Sequence, residues 1–175
     1  MYPWGHAAFA YLAFLALALL AHQRVSRAQL LAVLAASQLP DLIDKPLAWW
    51  VPVLPSGRSL GHSLLFAVPL VVAVGVVAHR AGRFGVAPAV AVGYLSHLLG
   101  DAYVEIYYWR VDELTYLLWP VLPPYPYDSP LSLSALLTGG VVTTELVAAS
   151  LAALVGCAVF AAHFAVAPWW SQPRA

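Results

Sequence analysis

Three histidines and three aspartates stand at the ends of apolar stretches in this chain: His6, Asp41, Asp44, His62, His97 and Asp101. The most compact motif is SHLLGDAYVE, in which His97, Asp101 and Glu105 follow one another at intervals of four. Each such step turns an α-helix by about 40°, so the three side chains share one face. A His and an Asp placed this way can ligate one cation, or satisfy each other by an i,i+4 hydrogen bond at a helix end. Asp41 and Asp44, in LPDLIDKP, lie about 60° apart on a helix and can both face a bundle interior. Together the six form a mixed nitrogen and oxygen donor set, suited to a divalent metal such as zinc, manganese or iron more than to calcium. The count allows one ion, or two sharing a carboxylate, the arrangement used for phosphoester hydrolysis.

Other polar residues flank this set. Arg58, in PSGRS just before His62, is a candidate clamp for an anionic oxygen; a loop arginine at a lipid headgroup is the equal alternative. Glu105 is a candidate general base, or a partner that orients His97. Arg58 and Glu105 are therefore the expected catalytic residues, and the other six the expected metal ligands. Ser63 is placed to cap the helix that follows it, and Ser59 flanks the same loop. Lys45 can reach an anionic headgroup or simply snorkel. Glu145 either reaches the same cavity or bonds Thr143 or Thr144. His22, His79 and His163 are expected at the opposite ends of their helices and are excluded from the site. Cys157, the only cysteine, lies in an apolar run, so no intrachain disulfide can form and the residue reads as packed core.

The elements that must position these groups are written in the composition. The 175 residues are 62% hydrophobic and 9% charged, with a mean hydropathy of +0.80, outside the range of soluble domains. The expected architecture is an all-α integral membrane protein, one domain over 1–175, with about five transmembrane helices near 6–22, 28–48, 63–79, 85–105 and 141–167. The second must either continue past Pro40 toward Trp50, with a kink, to reach a full crossing, or stop within the outer leaflet. Residues 51–61 read as a loop, and the Tyr, Trp and Pro-rich stretch 102–140 as an outer cap or re-entrant segment. Formal net charge is zero and no basic tract appears, so a nucleic-acid partner is not expected.

The first apolar stretch is preceded by MYPWGH, without Lys or Arg, and followed by Arg24 and Arg27. That order fits a retained helix with its amino terminus outside rather than a cleaved signal. Arg24, Arg27, Arg80, Arg83 and Arg174 fall on one side of the alternating spans, against Lys45, Arg58 and Arg110 on the other. The positive-inside rule then puts the carboxyl terminus in the cytoplasm. All eight carboxylates, Asp41, Asp44, Asp101, Glu105, Asp112, Glu113, Asp128 and Glu145, collect at the outer side or outer helix ends. Carboxylates do not set topology, so their crowding asks for a separate cause, and a cation site supplies one. Trp4, Trp49, Trp50, Trp109 and Trp119, with Trp169 and Trp170 at the other boundary, fit interfacial belts.

An early His, then LPDLIDKP, SGRSLGHSLLF and GYLSHLLGD, covering most of residues 1–101, resembles the YdjM-type family of membrane-bound metal-dependent hydrolases. The resemblance implies a multi-helix membrane fold and a metal-dependent hydrolase, with His6, Asp41, His62, His97 and Asp101 at the matching motif positions. The family often has Asp-x-Asp after the proline; here two residues separate Asp41 and Asp44. The first functional expectation is a hydrolase using metal-activated water on an ester or phosphoester, of a membrane lipid or a small anionic molecule, at the outer face. PSG before His62 and the His97 to Asp101 spacing also resemble parts of the type 2 phosphatidic acid phosphatases, which use a metal-free His nucleophile. Here, however, Arg58 follows PSG and the expected Ser-Arg pair is absent. A non-enzymatic metal-binding membrane protein is the third alternative; a cation pathway would need polar groups through the bundle, and the spans hold few.

Overall fold

In the computed structural model, residues 2–125 and 144–166 are described. Among them all regular structure is helical, without a strand: α1 (Pro3–Leu20), α2 (Arg27–Ala36), α3 (Leu39–Trp49), α4 (Leu64–Arg80), α5 (Val86–Tyr107), a 3-10 helix (Val111–Leu118) and α6 (Thr144–Val166). Local chemistry sets several boundaries. Pro3 opens α1, where its missing N–H costs nothing. Ser26 and Gln29 form a reciprocal capping box on α2. Ser63 accepts from the Leu65 N–H to cap α4, and Gly82, at a φ of 68°, turns the chain beyond that helix's last residues.

The second apolar stretch departs from the expected kinked helix. It breaks at Ser37 and Gln38 into α2 and α3, of 10 and 11 residues. Pro40 lies in the first turn of α3, where it has no N–H to return to the Ala36 carbonyl and its ring crowds that carbonyl. The break therefore precedes the proline. The stretch expected as a cap is also divided: residues 102–107 continue α5, and 111–118 form the 3-10 helix. Residues 126–143 and 167–175, with the expectations for Asp128, Thr143, Trp169, Trp170 and Arg174, lie outside the described residues, as does the side chain of Glu145.

Five membrane crossings are not found: among the described residues two segments, Pro3–Leu20 and Leu146–His163, are long and apolar enough to cross a membrane. The split leaves α2 and α3 each about 15 Å long, half a hydrocarbon core. The helix α4 is apolar but has 17 residues. The helix α5 has 22, yet buries Ser96, His97, Asp101 and Glu105, which lower its hydropathy.

The central element is α5, packed against α1, α2, α3, α4 and the 3-10 helix. Its closest approach is to α2: a Cβ on Gly93 would lie 2.4 Å from the Val33 carbonyl oxygen and 2.9 Å from the Ala36 Cβ. Only a glycine permits that crossing. Tyr11, Phe14, Val25, Leu30, Val33 and Ala89 form the apolar core between α1, α2 and α5. The helix α6 runs parallel to α1, with Gly156 against Ala8 and the Tyr11 hydroxyl 3.1 Å from His163 Nδ1. His163, in the last turn of α6 as expected, thus sits level with the middle of α1. Cys157 is exposed rather than packed. It lines an apolar groove of about 290 Å³ with Trp4, Ala8, Tyr11 and Phe160.

Candidate metal centre

The loop before α4 is folded around one carboxylate. Asp44, fully buried on α3, accepts the Gly61 N–H at Oδ1 (2.7 Å) and the Ser59 and His62 N–H groups at Oδ2 (2.7 and 3.2 Å). A Cβ on Gly61 would stand 2.8 Å from the Pro40 carbonyl oxygen, so glycine lets the loop lie directly on α3. From the other side, the Tyr94 hydroxyl donates to the Gly61 carbonyl at 2.6 Å. Ser63 ties the loop to the segment after the 3-10 helix through its 2.6 Å bond to the Trp119 carbonyl.

This scaffold orients two imidazoles. His62 Nδ1 lies 2.8 Å from Asp44 Oδ2, and His97 Nδ1 lies 2.6 Å from the Ser37 carbonyl freed by the break between α2 and α3. Carboxylate and carbonyl oxygens only accept, so each Nδ1 carries its proton and each Nε2 is left to face the interior. The two Nε2 atoms face one another at 3.1 Å. Two bare lone pairs do not hold that distance; a positive charge between them does.

Two carboxylates complete the set. Asp41 Oδ1 is 3.7 Å from both Nε2 atoms, and Asp101 Oδ2 is 3.3 Å from that of His62 and 3.9 Å from that of His97. All four residues are buried, and their ligand atoms lie within 4.8 Å of one another. Ligand bonds of about 2.0–2.2 Å in tetrahedral geometry require ligand separations of about 3.3–3.6 Å; the five separations that involve an imidazole nitrogen, 3.1–3.9 Å, bracket that range. Asp41 Oδ1 is buried without a hydrogen-bond partner, an atom a cation would satisfy. Burial opposes charge on His62, but the carboxylates of Asp101 and Asp44 outweigh it and raise its pKa. The cluster therefore favours a cation at this point, and a proton on His62 is the smallest one available.

A ring of further side chains encloses these four. Lys45 pairs with Asp41 Oδ2. The Arg58 Nε is 3.2 Å from Asp101 Oδ2 and its Nη1 3.3 Å from Glu105 Oε1, while its guanidinium lies over the Tyr116 ring. Tyr116, fully buried on the 3-10 helix, meets the His62 ring edge-on at 6.2 Å. His6 stacks on His97, with ring centroids 3.7 Å apart, and its Nε2 is 3.1 Å from Asp101 Oδ1.

The structure thus gathers all six expected ligands but divides them. Asp41, His62, His97 and Asp101 converge on one point. Asp44 stands behind His62 with both oxygens occupied by N–H groups, and His6 reaches the far oxygen of Asp101. Arg58 and Glu105 join through Asp101. His22 and His79 are exposed and apart from this cluster. Sequence reasoning missed the Ser37 carbonyl, Tyr94 and Tyr116. Tyr94 lies three residues before His97, hence on a neighbouring face of the same helix, and that spacing was the available signal. No spacing reveals the Ser37 carbonyl, since it depends on where a helix breaks.

Helices of membrane length, a wide exposed apolar surface and a buried Asp/His cluster able to hold a metal ion define a helical membrane protein with a candidate metal centre. The family model described as "YdjM inner membrane protein" matches residues 1–172, and the chain belongs to that family. Comparison with curated proteins and with solved structures found no match.

Proposed function

We propose that this protein is a multi-pass membrane hydrolase that binds a divalent metal, zinc or manganese by donor chemistry, and cleaves an ester or phosphoester of a lipid or small anionic molecule. The observation that carries the reading is the pair of imidazole Nε2 atoms facing each other at 3.1 Å with both Nδ1 positions committed to acceptors. His62, His97, Asp41 and Asp101 would hold the ion, whose chemistry is Lewis acidity and the lowering of a water's pKa toward neutrality. Asp44 and the Ser37 carbonyl fix the two rings, the usual means of keeping a ligating nitrogen basic and aimed. Arg58, already the neighbour of Asp101 and Glu105, would neutralise the anionic part of the substrate. Glu105, with Oε2 buried and without a hydrogen-bond partner, would accept the proton from the attacking water. The basic residues Arg24, Arg27, Arg80 and Arg83 flank the helix ends opposite the cluster, which supports a site at the outer face, the amino terminus outside and the carboxyl terminus in the cytoplasm.

The test is elemental analysis of detergent-purified protein together with hydrolysis assays on phospholipids and on soluble esters and phosphoesters. Wild-type protein should carry stoichiometric metal and lose turnover on chelation, and His97→Ala and Asp41→Ala should lose both metal and turnover. Metal-free wild type, or turnover that persists in His97→Ala with metal intact, would refute it.

A further inference from the structure

We propose that His6 and Asp101 hold a second divalent cation beside the first, with Asp101 as the shared carboxylate. This rests on the four-residue centre described above as the first site. The His6 ring is fully buried, and neither of its nitrogens has a hydrogen-bond partner. Its Nε2 is 3.1 Å from Asp101 Oδ1, close enough for a hydrogen bond, yet the ring is angled so that none forms. Two ligand atoms that approach closely without pointing at each other can converge on a third point, as donors around one cation do. The stacking of His6 on His97, at 3.7 Å and 14° between planes, fixes the ring in that pose.

Asp101 presents its oxygens to two different places. Oδ2 faces the Nε2 atoms of His62 and His97, and Oδ1 faces His6. A carboxylate divided in this way can join two ions at the roughly 3.5–4 Å spacing of two-metal centres. One helical turn along the same face of α5, Glu105 Oε2 is buried without a hydrogen-bond partner and is kept as the proton acceptor rather than as a ligand. Two ions held there would supply the paired Lewis acidity suited to an in-line phosphoryl displacement, which narrows the substrate class from esters in general to phosphoesters.

The deciding measurement is the number of metal equivalents on detergent-purified full-length protein after loading with manganese and removal of excess ion, for wild type and His6→Phe. Phenylalanine preserves the stacking on His97 but offers no ligand. Two equivalents in wild type and one in His6→Phe, a twofold fall, is the expected result. One equivalent in wild type overturns the second site and leaves the first standing, whereas none removes both. Two equivalents in both proteins place the second ion elsewhere and overturn the assignment. Should His6→Phe fail to fold, electron paramagnetic resonance of wild type with two equivalents decides: an exchange-coupled manganese pair supports the shared carboxylate, and isolated-ion spectra refute it.

Discussion

Asp44→Asn separates a ligand from a residue that positions one. The substitution is isosteric at a fully buried site where one carboxylate accepts four N–H groups: Gly61 at Oδ1, and Ser59, His62 and the His62 ring at Oδ2. The amide nitrogen is expected in place of Oδ1, because that choice sets only the Gly61 N–H against another donor. A buried donor left unsatisfied costs about 1–3 kcal/mol, and three surviving bonds to a neutral rather than charged acceptor lose about 1 kcal/mol each. Relief of the carboxylate's desolvation offsets part of this, leaving a net loss of about 3–5 kcal/mol, the range for breaking a buried charged pair. Metal affinity should fall about 10–100-fold, as for other groups that orient a ligating histidine. Stoichiometry at saturating metal should stay at the wild-type value, because Asp41, His62, His97 and Asp101 are all retained. Chelator competition gives the affinity, metal analysis the stoichiometry, and thermal unfolding in detergent the stability. If Asp44→Asn instead lowers stoichiometry, as is expected of Asp41→Ala, Asp44 is itself a ligand and its assignment to the back of His62 is wrong. Wild-type affinity would show equally that orientation of His62 does not depend on it.

Three other perturbations test the scaffold. Gly93→Ala would drive a Cβ to 2.4 Å from the Val33 carbonyl oxygen, forcing α2 from α5 at a cost of about 1–3 kcal/mol or more. Melting should show the loss, and weaker metal binding should accompany it, because the Ser37 carbonyl that holds His97 moves with α2. Tyr94→Phe removes the donor to the Gly61 carbonyl and should cost about 1–3 kcal/mol in the same assay; an unchanged melt would show that this latch contributes nothing. For pH, the raised pKa of His62 means that the metal-free fold has its full contribution from this group below the ordinary imidazole range. That contribution is lost as pH rises through the folded-state value. Metal must displace the proton, so apparent metal affinity should rise with pH across the same interval, measured by titration at fixed ionic strength; a flat profile would remove His62 from the ligand set.

The residue types and their spacing settled much of this in advance. Apolar stretches punctuated by His and Asp at corresponding ends identify a helical membrane protein with a polar cluster, because ionisable groups at membrane depth are costly without partners or a function. The i,i+4 spacing of His97 and Asp101 placed them on one face of α5, a consequence of helix geometry alone. What spacing could not reveal was direction. Asp41 and Asp44 lie one turn apart on α3, yet one faces the Nε2 pair and the other turns behind His62 to bind the loop. That division depends on how the loop 56–62 lies against α3, a contact between segments that are not neighbours in sequence. The break at Ser37 belongs to the same class. The proline predicts a disturbance, but only packing against α5 turns the released carbonyl toward His97. Local periodicity, a property of one helix, was therefore legible in the chain. The choice between ligating and orienting, a property of several segments meeting at once, was decided by the tertiary structure.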